Sequence, residues 1–362
     1  MKVTFPHLGQ VYIAMKAMFK TVGVETIVPP ASTRRTMSLA TQYSPEGVCI
    51  PFKLTLGNMI EALEQGADTI ITVGGSNTCR MGYYYKLQEQ ILRDMGYHFE
   101  IIPIGLSSHK FGGFMDMLKY ISNNASMPKI LYAFSFGLSK MTVLDDLEIL
   151  ANEIRPVERI PGTTTQIYRQ GLMAVDQAQD YISLQRAAHE YKKQLRRISI
   201  NKQLRPIRIL VVGEIYVVLD PFTNLDVELE LCKLGVISKR SLYVSRWAKW
   251  SLFLNPLGID QWHKVHQAAR PYLKRDIGGD GWETVGEKLT GAHKFDGMIQ
   301  LSPFTCMPET MAQNIMSHIK EGLPVLSISL DEQTSKAGLI TRLEAFADMI
   351  KRKKLNRSRI SG

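Results

Sequence analysis

Three of the chain's four cysteines stand in loop segments that contain glycine or proline and that precede a helical pattern. Cys49 lies in "PEGVCIPFK", Cys79 in "VGGSNTCRMGYY" and Cys306 in "IQLSPFTCMPE", and the last two also follow an apolar strand pattern. Helix N-termini offer free N–H groups and positive potential, which stabilise thiolates and the anionic sulfides of an iron–sulfur cluster. Three such thiolates can hold three irons of a cubane cluster and leave its fourth iron open. Cys232, in "LELCKLG", lies among leucines in a helical pattern, which is typical of a core position.

The spacing of these cysteines leaves other interpretations open. Buried structural thiols are common, so three scattered cysteines do not by themselves require a metal. Ferredoxin-type spacing is absent, so a cluster here would be a dispersed site built by the fold. A structural zinc site usually contains paired cysteines two to four residues apart, which the chain lacks, and a Cys3His site would need a histidine brought in by folding. A cysteine nucleophile is a further alternative, although no G-x-C-x-G elbow is present to expose Cys49.

Strand patterns alternate with helical patterns in two stretches of the chain, which predicts βαβ units and parallel sheets. We expect an α/β protein with two Rossmann-like lobes, over 1–138 and 206–354. A helical segment over 139–205, with one long helical pattern over 171–198, would join them, and 355–362 would be a disordered tail. Ligands of open α/β sheets bind outside the carboxyl ends of the strands. We therefore expect the cluster site in the crevice between the two lobes.

The composition is that of an ordinary globular protein. The chain has 362 residues, 45% hydrophobic and 22% charged, which favours two domains with sizeable cores. No apolar run of about 18 residues occurs, so we expect no membrane span. Residues 1–10 lack the layout of a secretory signal, and four cysteines make no disulfide framework, so we expect a cytoplasmic protein.

The net charge of +10 comes from two basic runs, residues 192–208 and 351–359, which together hold 13 Lys and Arg and no acidic residue. The remaining 31 basic residues are outnumbered by 34 acidic ones. A solvated helix face and a frayed tail explain the two runs without a nucleic-acid site. We therefore expect no nucleic-acid partner.

Five segments, in order along the chain, resemble the 2-hydroxyacyl-CoA dehydratase component superfamily. More closely, they look like its branch of acyl-CoA dehydratase activase-related (CoA-substrate-specific enzyme activase-like) proteins. The segments are "YSPEGVCIPFKLTLGNMIEALEQGAD", "GGSNTCRMGYYYKLQEQILRDMGY", "GEIYVVLDPFTNLDVE", "LSPFTCMPETMAQNIM" and "SLDEQTSKAGLITRLEAFADM". The resemblance extends from Met1 to about Lys354.

This resemblance implies an iron–sulfur redox protein. In that superfamily three loop cysteines of each subunit bind one [4Fe-4S] cluster, which here would be Cys49, Cys79 and Cys306, with Cys232 excluded. The family's partner is an ATP-hydrolysing activase that has its own iron–sulfur cluster and delivers low-potential electrons. In the dehydratases that electron forms a ketyl radical from a CoA thioester, and relatives commonly pair as dimers. We therefore expect an activase, a homo- or heterodimer with a related subunit, and an acyl-CoA ligand.

The reaction itself stays open. A sister group binds a double-cubane cluster and reduces small molecules, and a non-catalytic cluster-bearing accessory subunit is a further alternative. A double cubane needs about six terminal thiolates, so two subunits would have to share it. Asn77 and Thr78 also depart from the Gly-Pro that often precedes the second cysteine of this branch. The resemblance implies either a dehydratase-like lyase or an ATP-dependent reductase component; the sequence does not decide between these and an electron relay, and it assigns no catalytic residue.

Several polar residues near these loops are candidates to line the cluster or bind the substrate. Arg80 and Lys53 would stabilise the negative charge of the cluster or of a substrate. The alternative for Arg80 is a surface salt bridge, and the alternative for Lys53 is solvent exposure without a role at the site. The segment "GEIYVVLDPFTN" ends a predicted strand, so Glu214, Asp220 and Asn224 are expected near the same crevice. A helix N-cap is the alternative for Asn224.

Two further segments have weaker signals. Asp331, Glu332 and Thr334 follow a predicted strand and either cap the last helix or line the pocket. The run "GGDGW" at 278–282 is a turn, and as a phosphate cradle it is weak because no strand–helix frame surrounds it.

Overall fold

The structure, a computed structural model, describes residues 1–75, 79–105, 114–250 and 261–360. The chain divides into two compact units, Met1–Met141 and Thr142–Gly362. Among the described residues, each unit contains one four-stranded sheet in which all the strands are parallel. The strands are β1 (Lys2–Thr4), β2 (Glu25–Thr26), β3 (Thr69–Val73) and β4 (Glu100–Ile104) in the first unit, and β5 (Ile207–Gly213), β6 (Val236–Arg240), β7 (Gly297–Pro303) and β8 (Val325–Leu330) in the second. This confirms an α/β protein and is consistent with two Rossmann-like lobes.

Helices connect the strands in both units. They are α1 (Val11–Val22), α2 (Arg34–Tyr43), α3 (Ile50–Glu64), α4 (Met81–Asp94), α5 (Phe114–Ile121), α6 (Met127–Ile154), α7 (Thr163–Gln177), α8 (Tyr181–Arg196), α9 (Ile215–Leu219), α10 (Val227–Lys233), α11 (Val244–Lys249), α12 (His263–Ala269), α13 (Gly281–Thr290), α14 (Met307–His318) and α15 (Lys336–Ile360). None of the helices in the described ranges has the length and apolar character that crossing a membrane requires.

Both sheets have the same strand order. The first sheet has the order β2-β1-β3-β4 and the second has the order β6-β5-β7-β8. In each unit, therefore, the second strand lies on one side of the first strand, and the third and fourth strands lie on its other side. The direction of winding therefore reverses between the first and third strands of each unit. In open parallel sheets, ligands bind outside the carboxyl ends of the strands at such a switch point. The loops that follow β3 and β7 occupy equivalent positions at these two points.

The central strands are buried on both faces, as their apolar sequences predict. In the first unit, Ile70 of β3 belongs to a core cluster with Phe52 of α3, whereas the next residue, Ile71, belongs to a second cluster with Phe19 of α1 and Met117 of α5. Successive side chains of a strand point to opposite faces, so helices cover both sides of this sheet. This packing positions the N-termini of α3 and α4 at the carboxyl edge of the sheet.

The helical segment that we expected over 139–205 begins earlier and contains a break. Helix α6 begins at Met127, so the division between the two units falls inside this helix. The helical pattern over 171–198 is divided between α7 and α8, because the Asp180 side chain accepts a hydrogen bond from the Ser183 N–H at 2.7 Å and caps α8. The last helix continues to Ile360, where we expected a disordered tail from residue 355, and residues 361–362 lie outside the described ranges.

The second unit also differs from expectation at two strands. β5 ends at Gly213 and the apolar residues that follow form α9, whereas we expected the strand to continue through them. β6, which the sequence patterns did not predict, lies at the edge of its sheet and buries alternate residues, including Ser238 and Arg240. Polar side chains on the buried face of an edge strand hide the period-2 apolar signal that identifies most strands.

Candidate functional site

Cys49 lies at the N-terminus of α3. It is the N-cap residue, in extended conformation, and Pro51 is the second residue of the helix. Proline is favoured in the first turn because its ring presets φ and the missing N–H has no partner within the helix there. The Cys49 Sγ lies 2.8 Å from the Tyr84 Oη of α4. The thiol is therefore half-buried against α4 rather than directed away from it.

Cys79 lies between β3 and α4, two residues before the first helical residue, Met81. Its carbonyl accepts a hydrogen bond from the Gly82 N–H at 3.2 Å, and the Gly82 carbonyl accepts one from the Gly75 N–H at 3.2 Å. Ser76, Asn77 and Thr78 lie outside the described residues, so the departure from Gly-Pro at 77–78 has no structural account. The half-buried Cys79 thus lies just before the helix that also reaches Cys49.

One face of α4 ties the two cysteine loops of the first unit together. Arg80, Tyr84 and Gln88, spaced four residues apart, lie on the same face of the helix. The Arg80 guanidinium donates to the Gly47 carbonyl at 3.1 Å, and the Gln88 amide donates to the Phe52 carbonyl at 3.2 Å. The structure therefore brings Cys49 next to the start of α4, and it uses Arg80 to brace the loop before Cys49.

Two buried residues near Cys49, Lys53 and Tyr84, add to what the sequence predicted for this site. Lys53 is only 3% exposed, so the solvent-exposed alternative is wrong. Tyr84, which we did not single out, is buried, and its ring meets that of Phe52 edge-to-face at 4.9 Å. Burial raises the pKa of the Tyr84 phenol well above its usual value, and the neighbouring Cys49 raises it further. The only sequence signal for Tyr84 was its position one helical turn after Arg80.

Cys306 occupies the corresponding loop of the second unit. It is the N-cap of α14, three residues after the end of β7, and Pro308 is the second residue of that helix. The preceding residue, Thr305, has a φ of +68°, in the left-handed region that β-branched residues rarely adopt. Such strain costs about 1–3 kcal/mol and clusters at ligand-binding loops. Cys306 and Cys79 thus follow the third strand of two sheets that have the same strand order.

Glycines at the carboxyl ends of the strands allow unusually close backbone approach. A Cβ at Gly105, after β4, would lie 1.9 Å from the Gly74 carbonyl oxygen after β3. A Cβ at Gly213, which ends β5 with a φ of +128°, would lie 1.9 Å from the Leu301 oxygen of β7. Glycine is therefore required where the ends of β3 and β4 meet in the first unit, and where β5 and β7 meet, at the switch point, in the second.

Glu214, Asp220 and Asn224 bind backbone and hydroxyl groups of their own segment. The Glu214 carboxylate caps α9 by accepting hydrogen bonds from the N–H groups of residues 216 and 217 at 3.1 and 3.0 Å. Asp220 accepts a hydrogen bond from the Thr223 N–H at 2.8 Å. The Asn224 amide donates to the Val217 carbonyl at 2.9 Å, and its oxygen accepts from the N–H of residue 227 at 3.3 Å. Asn224 therefore binds the first N–H of α10, although the N-cap residue of that helix is Asp226.

The two weaker segments have structural roles as well. Asp331 accepts hydrogen bonds from the Gln333 N–H at 3.0 Å and the Thr334 hydroxyl at 2.7 Å, in a turn just before α15. Of the "GGDGW" run that we expected to be a turn, Gly281 and Trp282 already belong to α13. The turn and this first part of α13 pack against the start of α14, since a Cβ at Gly281 would lie 2.7 Å from the Pro308 carbonyl oxygen. This turn therefore supports the helix that Cys306 begins.

The same turn contributes to a buried carboxyl cluster that the sequence did not reveal, formed by Glu214, Asp280 and Glu309. The Asp280 carboxylate accepts a hydrogen bond from the N–H of Ile215 at 3.0 Å, and Glu309 accepts one from the Gln300 amide at 2.7 Å. Burial raises the pKa of Glu214 to about 7 and that of Glu309 to about 7. Burial and the neighbouring carboxylates raise the pKa of Asp280 well above its ordinary value. Burial therefore favours the protonated form of all three carboxyl groups, and for Glu214 and Glu309 the pKa lies near neutral pH.

Glu309→Gln is expected to stabilise the protein at alkaline pH. The raised folded-state pKa means that stability is greatest below the unfolded value of 4.5 and is lost as the pH rises through about 7, where the buried carboxyl must ionise. A neutral glutamine avoids that loss, which is about 3 kcal/mol for a shift of this size. Urea denaturation at acidic and alkaline pH measures the difference. The exposed Glu344→Gln of α15 is the matched control, and equal pH dependence in the Glu309 variant and the wild type would contradict the expectation.

The three loop thiols have the donor chemistry of an iron–sulfur site. Cys49 and Cys306 are the N-cap residues of α3 and α14, and Cys79 lies two residues before α4, so all three stand where the first-turn N–H groups of a helix lack partners within that helix. Thiolates are the ligands that iron–sulfur clusters select. In the described ranges, no three or more His, Cys, Asp or Glu side chains gather as a metal-ion site. The fit to a [4Fe-4S] cluster therefore rests on donor type, on the helix termini and on the position of Cys79 and Cys306 after the third strand of each sheet.

No protein-family model and no curated protein matches this chain.

Proposed function

We propose that the chain is an iron–sulfur redox protein that binds a [4Fe-4S] cluster through Cys49, Cys79 and Cys306. Its main support is the repeated placement of a cysteine after the third strand of each sheet, with the strand order the same in both units. Cys49 adds a third thiol, which lies next to α4, the helix that follows Cys79. Core cysteines have no reason to recur at equivalent switch points, whereas ligands of one group do.

Each unit supplies a rigid frame for its cysteines. Pro51 and Pro308 restrict the first turns of α3 and α14, and Arg80 braces the loop before Cys49. The N-termini of these helices stabilise the negative charge that thiolates and inorganic sulfides bring. When bound, the cluster supplies one-electron transfer at low potential.

The electrons are proposed to come from an ATP-hydrolysing activase that carries its own iron–sulfur cluster. This step, and dehydration of a 2-hydroxyacyl-CoA thioester as the reaction that uses the electron, rest on the resemblance of the five sequence segments. A homo- or heterodimer with a related subunit is proposed on the same ground. Lys53, buried in the first turns of α3, is the cation closest in sequence to Cys49 and the candidate to balance cluster charge.

Anaerobic reconstitution with ferrous iron and sulfide tests the cluster. We expect a brown protein with about four irons and four sulfides per chain, and an electron paramagnetic resonance signal after reduction. A colourless protein with no bound iron would contradict the proposal and favour a cysteine hydrolase or transferase. Reduction by an activase with ATP, followed with and without acyl-CoAs, then separates a thioester enzyme from an electron relay. A substrate-dependent change in the signal is expected for the enzyme.

A further inference from the structure

We propose that the Tyr84 hydroxyl donates a hydrogen bond to the Cys49 sulfur in the cluster-bound protein and thereby raises the reduction potential of the cluster. This inference rests on the proposed function, because it assigns a role to Tyr84 only if Cys49 is a cluster ligand. The role is one of tuning: Tyr84 acts on the cluster through the sulfur and takes no part in the chemistry of a substrate.

The position of the hydroxyl is set by packing on three sides. The Oη of Tyr84 lies 2.8 Å from the Cys49 Sγ, and the residue is only 8% exposed. The Phe52 ring stands at 83° to the Tyr84 ring with 4.9 Å between centroids, which holds the phenol in one orientation. One helical turn to either side, Arg80 and Gln88 bind the backbone of the segment that contains Cys49. The contact therefore belongs to a braced helix–helix junction and not to a freely rotating surface side chain.

The chemistry of the ligand decides the direction of the hydrogen bond. In a free thiol, either the sulfur or the phenol oxygen can donate, but an iron-bound cysteine sulfur is a thiolate with no proton. Only Tyr84 can then donate. Reduction adds one electron and places more negative charge on the cluster and its sulfurs, so the hydrogen bond is stronger in the reduced state. Hydrogen bonds to cluster sulfurs are one of the factors that set reduction potentials. The phenol keeps its proton, so the step moves one electron and no proton.

Tyr84→Phe removes the hydroxyl and keeps the ring against Phe52. We expect the variant to take up the same iron and sulfide as the wild type and to have a more negative midpoint potential, measured by anaerobic redox titration with electron paramagnetic resonance detection. The matched control is Tyr83→Phe on the next residue of α4, since Tyr83 is 57% exposed and its ring faces Lys86. This control should keep the wild-type potential.

A second substitution tests the direction of the effect and covers the case in which Tyr84→Phe does not fold. Placing 3-fluorotyrosine at position 84 keeps the shape of the ring and makes the phenol a stronger donor, so the midpoint potential should rise. Opposite shifts in the two variants support the inference, because a purely structural role would not reverse sign. An unchanged potential in the fluorotyrosine variant overturns it while leaving the cluster proposal intact. A wild-type protein that takes up no cluster refutes the proposed function itself.

Discussion

Replacing Cys49, Cys79 or Cys306 by alanine, one at a time, is expected to abolish stable binding of the cluster, whereas Cys232→Ala should leave it intact. Each of the three thiolates would bind one iron, so each substitution would leave the cubane with only two of its three bonds to the protein. Cys232 is 4% exposed inside α10, and burial raises the pKa of its thiol to about 11. It is therefore protonated and packed in the core. Iron and sulfide per chain after anaerobic reconstitution measure the outcome.

Cys232→Ala also serves as the control for the loss of a thiol as such. All four variants should show the far-ultraviolet circular dichroism of the wild type before reconstitution, so that a lost cluster is not mistaken for a lost fold. A cluster that survives in Cys306→Ala and disappears in Cys232→Ala would show that the ligand set is wrong. A cluster that survives in every variant would point to a site elsewhere in the chain.

Arg240→Ala should lower the free energy of unfolding of the second unit by about 3–5 kcal/mol. The Arg240 side chain is 4% exposed and pairs with Glu148 and Glu228. Its Nε lies 3.2 Å from the Glu228 carboxylate, an ion pair by distance without the geometry of a hydrogen bond. Burial raises the pKa of Glu228 to about 7, and Asp145 nearby also has a raised pKa because of burial. Without the guanidinium, the partly buried carboxylates of Glu148 and Glu228 would lose their ion pairs with Arg240, and Arg155 would be left to compensate Glu228.

Arg246→Ala is the matched control for this substitution. Arg246 lies on the same Tyr243 ring as Arg240, at the same distance of 5.2 Å from its centroid, but is exposed. Exposed charges contribute about 1 kcal/mol or less, so this variant should unfold close to the wild-type midpoint. Urea denaturation monitored by circular dichroism compares the two. Equal midpoints for both variants would contradict the expectation, and adding Glu228→Gln to Arg240→Ala should restore part of the loss.

The class of the fold was predictable because it depends on local patterns. The residues of β7 are all buried, and its largely apolar sequence, interrupted by Gln300 and Ser302, predicts a strand of a parallel sheet covered on both faces. The three loop cysteines were also placed correctly before helices, since glycine and proline mark loop boundaries in the sequence itself. Proline in the first turn of α3 and of α14 is a signal of the same local kind.

The short helix α9 shows where local patterns fail. Its sequence, "IYVVL", is rich in residues that favour strands, and we expected it to continue β5. The chain turns instead, because Gly213 adopts a positive φ and the Glu214 carboxylate accepts two N–H groups of the next residues. The polar residues that we expected near the crevice consequently have partners within their own segment.

The sequence by itself determined the two α/β units and the position of Cys49, Cys79 and Cys306 at helix starts, because residue periodicity and loop residues act over a few neighbours. Only the tertiary structure decided which side chains surround those cysteines. Tyr84 contacts Cys49 across 35 residues, and Asp280 contacts Ile215 across 65. Such contacts depend on how the faces of packed helices meet around the sheet, and no pattern confined to one segment of chain specifies that geometry.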